Sequence, residues 1–104
     1  MRPITKGPII PARVIIIREY IHSPKRPDVQ YIGMNYWAAK ELGVKFAHRK
    51  DTAVITDPSI NQWRYNPWRI DEILLHEQVE SKHMQEGMKY DIAHALTVKE
   101  TGIG

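Results

Sequence analysis

Apolar residues change rhythm along this chain, and the changes mark out its elements. The first twelve residues carry three prolines and a glycine and read as an extended arm. From 13 to 21 the chain is β-branched (Val14, Ile15, Ile16, Ile17), which predicts a strand with Val14 and Ile16 facing inward. Two prolines between 23 and 28 predict a loop. Asn35 suits the cap of a short helix over 36–42, closed by Gly43 in the place that favours left-handed backbone. Thr52 to Thr56 has strand character and is turned by Asp57-Pro58-Ser59.

The period then becomes helical. Asn66 is a good N-cap, Pro67 fits the first helical position, and Asp71 and Glu72 lie near the positive end of the dipole. Gly87 stops this helix, and a second runs from about Tyr90 to Thr101 before Gly102. So short a connection makes residues 66–101 an antiparallel hairpin. The expected class is therefore α+β: a small sheet, a short helix and the C-terminal hairpin, with 1–12 as arm and 13–104 as one domain. The pattern Gly33-Met34-x-Tyr36-x-x-Ala39-x-x-Leu42 recurs as Gly87-Met88-x-Tyr90-x-x-Ala93-x-x-Leu96. Its flanks do not match, which argues for two similar helix entries rather than a duplication.

On the first hairpin helix, one polar stripe breaks the amphipathic rule. His76, Glu80 and His83 recur at i, i+4 and i+7 and so share a face. Ile70, Ile73, Leu74 and Met84 flank that stripe on one side, Leu75 and Val79 on the other. Glu77 projects from inside the apolar sector, where a carboxylate is costly without a partner or a task. On the second helix, Asp91 and His94 share a side with Ala95 and Val98, apt to face the first. Six ionisable groups thus gather on facing surfaces.

Composition narrows what they can do. The 104 residues include no cysteine, so thiolate catalysis, disulfides and Cys-based zinc sites are excluded. His and carboxylates are the strong ligands left. A divalent metal, Zn²⁺ or another, would explain the cluster: His76 and Glu80 lie one turn apart and reach a single ion, and the second helix adds a third ligand. Glu77 would then be placed as general base. The plainer reading pairs these groups with one another as ordinary helix-spaced contacts, worth about 0.2–0.5 kcal/mol each when exposed.

The segment His76-Glu77-Gln78-Val79-Glu80 resembles the HExxH helix of zincin metallopeptidases, with glutamate at the second histidine, an HExxE variant. It is also similar to small phage-type proteins in which an HExxE helix precedes a Gly-Met-x-Tyr-x-x-Ala-His helix. The resemblance spans about residues 51–101. It implies His76 and Glu80 as metal ligands, Glu77 as the catalytic base, and His94, Asp91 or Glu100 as third ligand. It further implies hydrolysis of a peptide or amide bond in a peptide or protein substrate, and a viral setting. A second metal reading pairs Glu80-x-x-His83 with Asp91-x-x-His94, the spacing of di-iron carboxylate bundles; it needs carboxylates from further helices, which a dimer would supply.

Charge offers the rival. Residues 1–50 hold ten Lys/Arg and three Asp/Glu, whereas 51–104 hold five and nine. A basic half suits nucleic acid or an acidic protein partner, although Arg13, Arg18, Lys25, Arg26, Lys45, Arg49 and Lys50 are scattered without recognition-helix spacing. Homodimerisation through the hairpin is a third expectation. Trp37, Trp63 and Trp68 read as core or rim aromatics, His22 and His48 as solvated, and Asp57 as a turn residue. The longest apolar stretch, near Val14–Ile17, is too short for a bilayer, and Pro11 and Arg13 argue against a signal peptide. The expected location is cytoplasmic, the host cytoplasm if the protein is viral.

Overall fold

The computed structural model describes residues 8–60 and 69–102. Asn66, Pro67, Trp63 and Trp68 lie outside them. The order is β1 (Arg13–Ile17), β2 (Ile21–Ser23), β3 (Arg26–Tyr31), β4 (Gly33–Met34), α1 (Tyr36–Leu42), β5 (Thr52–Thr56), a single 3₁₀ turn (Pro58–Ile60), α2 (Arg69–Gln85) and α3 (Tyr90–Thr101). Small sheets with three helices and a C-terminal helix pair make an α+β fold. Among the described residues, no helix is long and apolar enough to cross a membrane.

β5 is the centre of the main sheet, parallel to β1 and antiparallel to β4. All five of its residues are buried, as a strand covered on both faces requires. Three features depart from the sequence expectation. The first strand ends at Ile17, and the segment expected to be a loop forms the β2–β3 hairpin, with only residues 24 and 25 in the turn. The side-chain parity of β1 is also reversed: Ile15 and Ile17 pack against the core, while Val14 and Ile16 stay exposed. An unbroken Val-Ile-Ile-Ile run contains no alternation from which to choose a face.

The caps behave as their chemistry demands. Asn35 has extended backbone (φ −112°, ψ 169°) and its side-chain oxygen accepts from the Ala38 N–H at 2.9 Å. Gly43 closes α1 at φ 71°, a conformation glycine adopts without strain. α3 has no such cap of its own. Instead Glu41 of α1 accepts the Tyr90 N–H with both carboxylate oxygens, at 2.9 and 3.0 Å. One helix thereby caps another, and the two similar sequence entries are built differently.

The core joins Met34, Ala38, Leu42, Val54 and Tyr90, with Ile21 and Tyr31 from the hairpin. The described part of the arm lies along α2, where Gln85 exchanges hydrogen bonds with the Ile9 backbone and Gln78 donates to the Pro11 carbonyl. Near the C-terminal end of α2, His83 Nδ1 meets Glu86 at 3.0 Å and Nε2 meets Glu100 of α3. The Glu100 bond raises the His83 pKa above its ordinary value; partial desolvation opposes this, and Glu86 adds to it. A raised folded-state pKa stabilises fully below the unfolded value of about 6.5 and ceases to do so as pH rises through the folded one. Wild type is therefore expected to melt above His83→Gln at mildly acidic pH, with the gap closing in alkali. A gap that widens with pH would contradict this clamp.

Candidate metal centre

Three donor atoms converge between α2 and α3. His76 Nε2 and His94 Nδ1 each lie 2.9 Å from Glu80 Oε2, and 3.2 Å from each other. Among the described residues this is the group of three His and carboxylate side chains placed to hold one metal ion. Helix geometry brings His76 and Glu80 together, since i and i+4 lie one above the other. His94 arrives from α3, where its Nδ1 reaches Glu80 Oε2 and His76 Nε2. Its ring is stacked on Tyr90, one turn earlier, with centroids 5.4 Å apart.

Burial makes the arrangement costly. Glu80 is 1 % exposed, Glu77 4 % and His76 7 %. Desolvation works against the Glu80 charge, but hydrogen bonds to His76 and His94 outweigh it and hold the carboxyl below its usual range. The same bond to Glu80 raises the His94 pKa, against partial desolvation. Glu77 has no such imidazole bond. Its burial, with the Glu80 charge nearby, pushes its carboxyl well above the normal range, despite His76 and Asn35.

Asn35 ties the two acids together. Its amide nitrogen donates to Glu77 Oε1 at 2.9 Å and to Glu80 Oε1 at 3.2 Å, while its oxygen caps α1. Both ends of the amide are used. Gly33, just before it in the chain, lets the strand lie against this site: a Cβ there would sit 2.8 Å from Glu77 Oε2 and 2.7 Å from Ile73 Cγ2. A cavity of about 300 Å³ opens beside the cluster, lined by Tyr31, Ile73 and Tyr90 together with His76, Glu77 and His94. No protein-family model, curated protein or solved structure gives a significant match to this chain. The site must be judged on its own geometry.

That geometry separates the six residues singled out by sequence. His76, Glu80 and His94 meet, and Glu77 adjoins them through Asn35. His83 does not join them: it binds Glu86 and Glu100, which also removes Glu100 as a third ligand. Asp91 is exposed and forms a two-pronged ion pair with Arg26 of β3, at 2.7 and 2.8 Å. The Arg26 hydrogen bond holds the Asp91 carboxyl below its usual range. Both carboxylate-x-x-His pairs are thereby split, which removes the geometric basis of the dinuclear reading.

Asn35, Gly33 and Tyr90 belong to the site but carried no functional signal in the sequence. The cap position of Asn35 was legible, yet its second role depends on a packing 42 residues away in the chain. Arg26 was read only as part of a diffuse basic half; it also lies over the Tyr90 ring, 5.7 Å from its centroid.

The donor set passes a simple test of fit. Two imidazole nitrogens and one carboxylate oxygen suit Zn²⁺, whose bonds of about 2.0–2.1 Å place tetrahedral ligands roughly 3.3 Å apart. The observed separations of 2.9, 2.9 and 3.2 Å are close to that edge.

Proposed function

We propose that this protein is a zincin-like metal-dependent hydrolase of peptide or amide bonds. His76, Glu80 and His94 hold a divalent ion, Zn²⁺ being the best match. The observation that carries the reading is the meeting of three donor atoms from two helices on one buried carboxylate. The ion supplies Lewis acidity toward water and a substrate carbonyl. Everything else comes from the chain.

Glu77 takes the proton from water and later delivers it to the leaving nitrogen. Its carboxylate is held by the Asn35 amide, so its position does not depend on side-chain chance. Burial keeps competing solvent away from this acid and strengthens each charge interaction around it. The adjoining cavity offers apolar walls for a substrate side chain.

A metal-content measurement tests this directly. Protein reconstituted with zinc and freed of excess is expected to retain about one equivalent per chain, as one three-ligand site requires. His76→Ala is expected to lose it. Zinc at about a hundredfold over its dissociation constant adds roughly 2.7 kcal/mol of stability to wild type, and none to the variant. Retention of full affinity by His76→Ala would refute the ligand set.

A further inference from the structure

Of the three donors between α2 and α3, His94 is the least enclosed. Its side chain is 41 % exposed, whereas those of His76 and Glu80 are buried. A metal-bound histidine is usually braced through its second ring nitrogen, which donates to a carboxylate or carbonyl and fixes the rotation of the ring. His94 turns Nδ1 to Glu80 and His76, and among the described residues its Nε2 has no hydrogen-bond partner. A half-exposed ligand without a brace surrenders its rotamer freedom only on binding, and the loss appears as weaker affinity.

The ring is held by its face instead. Tyr90, one turn earlier on α3, stacks on it with 25° between the planes. Tyr90 is itself buried and fixed from two other elements. Tyr31 of β3 meets it edge-on, with centroids 6.1 Å apart, and Glu41 of α1 accepts its N–H. The Arg26 guanidinium lies 5.7 Å from its centroid. Arg26 is in turn tied by both prongs to Asp91, the residue after Tyr90. Ring–ring and cation–π contacts are directional, so together they fix a plane rather than merely fill space.

We propose that Tyr90 is a positioning residue for the metal centre: its ring holds that of His94 with Nδ1 aimed at the ion, while Arg26 and Asp91 clamp Tyr90. The inference rests on the metal reading above. It gives Asp91 a part in the site as the anchor of this clamp, not as a ligand. The Tyr90 hydroxyl is 3.5 Å from His94 Nδ1, at the outer limit of a hydrogen bond. A metal-bound Nδ1 has no lone pair left to accept that bond. The ring, and not the hydroxyl, does the holding.

Zinc affinity of the full chain, measured by competition with a chromophoric chelator, tests the proposal alongside the visible spectrum of the Co²⁺-loaded protein. Tyr90→Phe keeps the ring and is expected to match wild type in both. Tyr90→Leu keeps apolar bulk without a ring; it is expected to bind zinc at least about tenfold more weakly, as loss of a ligand's support does, with altered Co²⁺ bands. Should Tyr90→Leu fail to fold, the double variant Arg26→Ala, Asp91→Ala carries the test. Both of those side chains reach the surface, and removing the pair leaves the net charge unaltered. Charge alone then predicts no change, whereas loss of the clamp predicts binding about two- to fivefold weaker, the worth of an exposed cation–π contact. Wild-type affinity in Tyr90→Leu or in the double variant, or a Tyr90→Phe as weak as Tyr90→Leu, would each overturn the inference. A wild type that retains no zinc would instead refute the metal reading, and this inference with it.

Discussion

Glu77→Gln is expected to slow peptide or amide hydrolysis by about 10²–10⁴-fold, the range typical of a lost general base, while the protein keeps its equivalent of metal. The amide is nearly isosteric, and its oxygen remains able to accept the Asn35 bond that Glu77 Oε1 accepts at 2.9 Å. Fold stability is expected to hold or rise, because a buried acid whose charge is disfavoured by desolvation becomes a neutral group. Turnover of a quenched peptide library and metal content, measured on the same preparation, check both halves. Full activity in the variant would remove Glu77 from the mechanism. Loss of metal together with activity would show that the residue supports the ligands rather than the chemistry.

Asn35 carries the second large effect, this time on stability. Asn35→Ala removes a helix cap, worth about 1 kcal/mol, and a donor shared by two buried carboxylates, where a charged hydrogen bond contributes about 1.5–3 kcal/mol. The combined loss is roughly 2.5–4 kcal/mol, a large part of the 5–15 kcal/mol typical of a domain. Asn35→Asp separates the two roles. Aspartate caps as well as asparagine, yet it donates nothing and brings a third carboxyl against Glu77 and Glu80. It is therefore expected to be at least as damaging as alanine at neutral pH, by urea denaturation. Near-wild-type stability in Asn35→Asp would mean that capping is all the residue does.

These two residues illustrate how differently the site was visible in the chain. Glu77 was conspicuous by itself, as a carboxylate set among Ile70, Ile73 and Leu74 on a helix. His76 and Glu80 were conspicuous as a pair, because i and i+4 positions must be neighbours. Asn35 looked like a cap and nothing more. Asp91 and His94 looked equivalent, being one turn apart on the same helix, but only His94 faces the cluster. What divides them is Arg26, which comes from a hairpin that sequence reading took for a loop and which draws Asp91 outward. His83 is separated from Glu80 by a similar capture, through Glu86 and Glu100. In each case a competing partner distant in the chain settled the outcome.

By itself, the sequence determined what short-range sterics and hydrogen bonding control. The α+β class, the start and stop of α1, the stops of α2 and α3, and the shared face of His76 and Glu80 all follow from caps, glycines and the helical repeat. Tertiary structure alone decided which side of β1 is buried, how β2, β3 and β4 pair, and which third side chain closes on His76 and Glu80. The physical reason is the range of the interactions. A cap or an i, i+4 contact is fixed within one turn of backbone. Strand pairing and ion-pair choice are competitions between groups dozens of residues apart, won by whichever partner the packed core brings within about 3 Å.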